Sequence, residues 1–258
     1  MSEPILEAVD IRMKFGGLIA LADLGFKVPR GIIKAIIGPN GAGKTTLFNV
    51  ITGVFPPTTG TIRFKEQTIT GLKAHQITKR GISRTFQTVE LFTNMSVLEN
   101  TMVGRHCRSR GSLVASGLKM PWVVREEKRV RREASEILDF VGLADKAAER
   151  AGNLPLGEQK ALEIARALAT EPELLCLDEP AAGLNEAETN RLSGLIRQIL
   201  ARGTTVLLVE HDMALVMGIA DDIVVLNYGR KIAEGPPKAI QEDENVIKAY
   251  LGEDELCA

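Results

Sequence analysis

The run Gly38-Pro-Asn-Gly-Ala-Gly-Lys-Thr-Thr46 combines residue types and spacing that can hold a chain of phosphates. It fits the pattern G-x-x-x-x-G-K-[ST] from Gly38 to Thr45. Gly38, Gly41 and Gly43 let the loop through Pro39, Asn40 and Ala42 turn backbone N–H groups toward phosphate oxygens. Lys44 then reaches the outer phosphates, the Thr45 hydroxyl can ligate Mg2+, and Thr46 continues into the helix. A second constellation lies in Glu173-Leu-Leu-Cys-Leu-Asp-Glu-Pro180, an apolar run that ends in two acids. Asp178 suits a magnesium ligand, direct or through water, and Glu179 suits a general base for an attacking water. Either feature alone has a plain reading: a glycine turn beside a lysine, or a solvated acidic turn. Together in one chain they read as the hydrolysis of a nucleoside triphosphate.

The surrounding elements must bring these residues together. Ile32 to Ile37 reads as a short buried strand before the loop, and Thr45 to Thr52 as a helix ended by Gly53. Ile5–Ile11, Ala20–Val28 and Thr61–Phe64 read as further strands, with a turn at Phe55-Pro-Pro-Thr-Thr-Gly60. The stretch from about Ser96 to Arg150 looks helical, with Val130, Ala134, Ile137 and Leu138 on one face. Strand and helix then alternate: helix 156–169, strand 174–177, helix 186–201, strand 204–209, helix 213–220, strands 222–227 and 231–234. A short helix over 245–251 closes the pattern. This order predicts an α/β fold with a mostly parallel sheet, an antiparallel β region at the N-terminus and an inserted helical segment.

Composition narrows the class. With 258 residues, 45% hydrophobic, 25% charged and 4% aromatic, the chain fits a globular protein rich in aliphatic packing. A formal charge of −1 gives no electrostatic case for nucleic acid. The first ten residues carry acids and no long apolar run, so no secretory signal is expected. No run of about 18 apolar residues predicts a membrane span. Cys107, Cys176 and Cys257 are odd in number and widely spaced, which predicts reduced thiols rather than a metal site.

Three further segments choose among triphosphatases. Asn153-Leu-Pro-Leu-Gly-Glu-Gln-Lys160 precedes a helix, Gly81-Ile-Ser-Arg-Thr-Phe-Gln87 places a glutamine after a short strand, and Val209-Glu-His-Asp212 places a histidine after another. With these the chain resembles the ATP-binding cassette (ABC) ATPases over nearly its full length. The resemblance implies ATP and Mg2+ as ligands. Gln87 matches the glutamine that senses magnesium and attacking water, and His211 the histidine that contacts the γ-phosphate. Phe15 matches the aromatic that stacks on adenine, where the family more often has tyrosine. Leu154 to Gln159 matches the signature segment that covers a partner's nucleotide, with Gly157 allowing close backbone approach. Ala181 to Asn185 matches the loop that crosses to the opposite subunit. The implied layout is one cassette over 1–258: a nucleotide-binding core at 1–87 and 158–235, a helical subdomain at 88–157, and a helical extension at 236–258.

One position departs from the family pattern. Pro155 stands where a serine is common, and Leu156 where a glycine is common. Proline supplies neither the hydroxyl nor a backbone N–H for the partner's γ-phosphate, and one hydrogen bond to a charged oxygen is worth roughly 1.5–3 kcal/mol.

Finer similarity lies in Phe15-Gly-Gly17, Arg84-Thr-Phe-Gln87, Leu91 to Asn100, Ala151-Gly-Asn-Leu154, Leu177 to Asn185, Glu210-His-Asp-Met213 and Ala249-Tyr-Leu-Gly252. These look like the longer ATPase subunit of branched-chain (hydrophobic) amino acid importers. That group implies a peripheral subunit at the cytoplasmic face of the membrane. It also implies a second ATPase subunit, two hydrophobic permease subunits and, indirectly, an external substrate-binding protein. Related cassettes for urea, amides or lipopolysaccharide export share many of these segments. A soluble ABC ATPase outside transport is the rival class, and a small-molecule kinase is a third reading that leaves the acid pair and His211 without a role. The insert from about Arg105 to Arg132, which includes Trp122, is basic. A solvated helical face explains it, and contact with lipid head groups or with a membrane subunit beside the cassette is the sharper alternative.

Overall fold

The computed structural model describes residues 3–87, 89–105 and 121–254. Strands β1 (Pro4–Phe15), β2 (Leu18–Pro29), β4 (Thr59–Phe64) and β5 (Gln67–Thr68) form an antiparallel sheet in the order β2-β1-β4-β5. A second sheet is built from β3 (Ile33–Ile37), β6 (Ile82–Arg84), β7 (Leu174–Asp178), β8 (Thr205–Val209), β9 (Asp222–Asn227) and β10 (Arg230–Gly235). Its order is β10-β9-β3-β8-β7-β6, parallel throughout except for the antiparallel edge strand β10. The crossovers between non-consecutive neighbours put helices on its faces, so its central strands are buried on both sides. Every residue of β3, β7 and β8 is buried.

The helices are α1 (Lys44–Ile51), α2 (Ala74–Arg80), α3 (Val97–Arg105), α4 (Pro121–Phe140), α5 (Leu156–Leu168), α6 (Glu186–Ala201), α7 (Met213–Ile219), α8 (Pro237–Gln241) and α9 (Glu244–Asp254). One face of the second sheet packs with α1 against the antiparallel sheet, through Ile36, Leu47, Phe48, Cys176, Leu207, Val209 and Val224. The other face packs on α6 and α7, through Leu175, Leu177, Leu192, Ile196, Leu208 and Leu215. A separate cluster joins α3, α4 and α5, through Val97, Ala134, Leu138, Leu154 and Leu162. Ala134 and Leu138 are the buried stripe expected of the amphipathic helix.

The parallel sheet, the antiparallel N-terminal region and the inserted helices agree with the reading from sequence. Helix α8 falls within the expected helical extension, whereas helix α2 and the two-residue strand β5 carry no sequence signal, both being too short to show a period. Within the basic insert, Arg129 approaches Glu126 and Glu133, and Arg132 approaches Glu136, so both are partly matched along α4. Cys176 is buried in β7, and burial pushes its thiol up to about 12, so it packs as an inert core residue. Cys107, Cys257 and the side chain of Trp122 lie outside the described residues.

Candidate active site

The phosphate loop connects the carboxyl end of β3 to the start of α1, at the edge of the sheet where parallel α/β folds bind ligands. Two of its glycines are fixed by close approach. A Cβ on Gly38 (φ +150°) would stand 2.1 Å from the Leu226 carbonyl oxygen, and one on Gly43 (φ +102°) would stand 2.7 Å from that of Ala20. Behind the loop, Gly229 N donates to the Ala42 carbonyl at 3.0 Å, so the turn between β9 and β10 braces it. Leu47 N donates to Gly43 O at 2.9 Å as the helix begins, which leaves the amides of the first turn directed at the loop. Lys44 is buried and folds back, its Nζ donating to the carbonyls of Gly38 (2.6 Å) and Pro39 (2.9 Å).

Asp178 closes β7 beside this helix. Its Oδ2 accepts from Arg84 at 2.6 Å, and Arg84 also donates to Asn49 and Thr52 of the α1 segment, at 2.6 and 3.1 Å. Its Oδ1 is buried with no hydrogen-bond partner among the described residues. Burial pushes the Asp178 carboxyl up, and the Arg84 guanidinium opposes that shift. A buried carboxylate with one oxygen unsatisfied fits a site for a divalent cation.

Glu179 takes a left-handed backbone conformation (φ +46°), unusual for a residue with a side chain. Its N–H donates to the Val209 carbonyl at 2.8 Å, which fixes the turn after β7 against the end of β8. The turn brings its carboxylate to Gln87, whose Nε2 donates to Oε2 at 2.8 Å. His211 Nδ1 stands 3.7 Å from the same oxygen. Thus Glu179, Gln87 and His211, from three separate loops, converge at one carboxylate.

Three residues that organise this site carried no role in the sequence reading. Arg84 holds Asp178. Glu210 is fully buried, and its carboxylate accepts from the N–H groups of Ala181 (2.7 Å), His211 (3.0 Å) and Asp212 (3.2 Å), tying the loops after β7 and β8 together. Lys160 in α5 donates to the carbonyl of Gln87 at 3.1 Å. Arg84 and Glu210 lie beside the recognised Gln87 and His211 motifs; a buried partner cannot be told from a solvated charge by spacing alone.

The remaining expected residues lie at the margins. Phe15 is half exposed and meets Phe55 edge-on, with ring centroids 5.5 Å apart. Pro155 caps α5 without a side-chain hydrogen bond. Gly157 in the first turn of α5 faces Glu188 of α6; a Cβ there would stand 2.8 Å from Oε1. Leu156 packs toward Gly183, where a Cβ would stand 2.9 Å from its Cδ2.

Comparison with known proteins decides the family. The ABC transporter family profile matches residues 21–182, and the profile described as "Branched-chain amino acid ATP-binding cassette transporter" matches residues 230–255. The chain belongs to the ABC transporter ATPases. The high-affinity branched-chain amino acid transport ATP-binding protein BraF of Pseudomonas aeruginosa is 46% identical over 98% of this chain and 100% of its own length. LivG of Escherichia coli, which carries the same description, has the same identity and coverage. A crystal structure of the ADP conformation of an ATP-binding cassette of an ABC transporter superposes with a TM-score of 0.86 at 35% identity. That match covers 97% of this chain and 100% of the other. This cassette is therefore an ATP-binding, ATP-hydrolysing subunit with the fold expected from its motifs.

Proposed function

We propose that this cassette powers the import of branched-chain amino acids, and that Glu179 is the base of its ATPase reaction. The observation that carries the catalytic reading is the convergence of Gln87 and His211 on the Glu179 carboxylate beside the phosphate loop. The amides of Gly41 through Thr46 and the Lys44 ammonium hold the phosphates, with Lys44 exchanging loop carbonyls for phosphate oxygens. Thr45, Gln87 and Asp178 would hold Mg2+, which supplies charge to offset that of the phosphates. Glu179 accepts a proton from the attacking water, whose oxygen bonds to the γ-phosphorus as the bond to ADP breaks. Gln87 orients that water and His211 contacts the γ-phosphate. Phe15 offers its exposed face to the adenine ring.

The transport reading draws support from the described activity of the 46% identical relatives. On this reading the chain sits at the cytoplasmic face of the membrane. It pairs with a second cassette and two hydrophobic permease subunits, and an external binding protein delivers substrate. On the same reading the membrane path belongs to other subunits, and no helix among the described residues is long and apolar enough to cross a membrane. A groove of about 330 Å³, lined by Val54, Phe86, Phe92, Glu163 and Arg166, exposes aromatic surface that a permease segment would cover. On the same reading 1–87 and 158–235 are the core, 88–157 a helical subdomain and 236–258 an extension; Phe92 then stands on the subdomain side of the groove and Val54, Phe86, Glu163 and Arg166 on the core side.

The test is capture of tagged Glu179→Gln protein from its native membranes with ATP, joined to uptake of labelled leucine, isoleucine and valine. Co-purification of two very hydrophobic subunits and a second cassette, with uptake lost in the variant, is expected. Ribosomes or soluble partners alone, with uptake intact, would overturn the transport reading.

A further inference from the structure

Lys160 is 5% exposed, although it is a lysine on a helix that borders the surface. A buried ammonium is retained only where acceptors replace its water. Here the acceptors are main-chain oxygens of two site residues: the Gln87 carbonyl at 3.1 Å and, in a longer contact, the Glu179 carbonyl at 3.5 Å. The side chains of those two residues are hydrogen-bonded to each other at 2.8 Å. One ammonium therefore holds both main chains whose side chains form the hydrolytic pair.

The location of Lys160 gives this contact a direction. It lies one turn after Leu156 in α5, the helix that begins within the Pro155-Leu-Gly157 segment. Positions i and i+4 share a helix face. Along that face Leu156 packs toward Gly183 and Lys160 reaches the turn of Glu179. A shift or rotation of α5 acts on the Glu179 turn through a charge-assisted hydrogen bond to main-chain carbonyls rather than through apolar packing alone.

We propose that Lys160 is a positioning residue for hydrolysis, tying the placement of Glu179 and Gln87 to the position of α5. The inference rests on the reading of Glu179 as the base. Without the ammonium, the two loops keep their side-chain hydrogen bond but lose their common anchor. ATP still binds, because the phosphate loop is untouched, while the carboxylate is no longer held in register with the attacking water.

The experiment uses the full-length chain and measures single-turnover ATP hydrolysis, equilibrium ATP binding and thermal melting for Lys160→Met, Lys160→Arg and Glu179→Gln. Lys160→Met is expected to hydrolyse about 10- to 100-fold more slowly with ATP Kd changed by less than about 2-fold, the scale of a misplaced catalytic group. Lys160→Arg, which keeps the charge and the donors, is expected to recover most of the rate. A Met variant that hydrolyses at the wild-type rate overturns the proposal. So does a rate loss matched by equal losses of ATP affinity and melting temperature in both Lys160 variants, which would mark a purely structural lysine. Glu179→Gln separates the two claims. If it retains turnover, the base assignment fails. If it is inactive while Lys160→Met is unimpaired, only the role of Lys160 fails.

Discussion

Arg84 Nη2 stands 2.6 Å from Asp178 Oδ2, and the two side chains are 7% and 1% exposed. This pair joins β6 to the last residue of β7, and the same guanidinium reaches Asn49 and Thr52 at the C-terminal end of α1. The acid that would ligand magnesium is thus fixed by a cation whose other hydrogen bonds go to the phosphate-loop helix. Removing one partner of a buried ion pair leaves the other charge uncompensated, at a cost of about 3–5 kcal/mol. Arg84→Met is expected to lose stability on that scale in denaturant titration and to lose ATP hydrolysis, while Arg84→Lys keeps part of both.

Glu163 gives a prediction that depends on pH. It is almost fully buried in α5, and burial pushes its carboxyl up, against the Glu90 N–H, Lys160 and Arg166, with Glu90 adding to the rise. An acid with a raised pKa in the fold is neutral in both states at low pH, so no penalty exists there. The penalty grows as pH rises through the unfolded value, about 4.3, and levels off above the folded value. Glu163→Gln keeps an oxygen for the Glu90 N–H and removes the charge. Its melting temperature is expected to exceed that of the wild type by several degrees near pH 8 and to match it near pH 4.

Gly43 is the point where backbone shape and binding meet. Its φ of +102° and the Ala20 carbonyl 2.7 Å from a Cβ leave no room for alanine without moving the loop. Gly43→Ala is expected to abolish ATP binding in equilibrium titration and to lower stability by about 1–3 kcal/mol.

The strongest parts of the fold and site were legible because each carries its own local signal. The phosphate loop announces itself by glycine spacing. The buried strands β3, β7 and β8 announce themselves as unbroken apolar runs. Gln87 and His211 became readable only by their order relative to those motifs. What stayed hidden is what tertiary contact alone decides. Lys160, Glu210 and Arg84 read as ordinary charges until the sheet edge brings three loops together. The left-handed turn at Glu179 has no glycine to mark it. The helix α2, seven residues long, has its N-terminus closed by Lys73 and Gln76 rather than by a marked apolar stripe, and only Ile77 is buried.

Glu179→Gln tests the central claim most directly, with ATP binding and ATP hydrolysis measured on the same purified protein. The substitution keeps an oxygen to accept from Gln87 and removes the ability to take a proton at neutral pH. The expected result is ATP affinity close to the wild type and hydrolysis reduced to a trace, on the order of 100-fold or more for loss of a general base. Hydrolysis at an undiminished rate would show that another group activates the water.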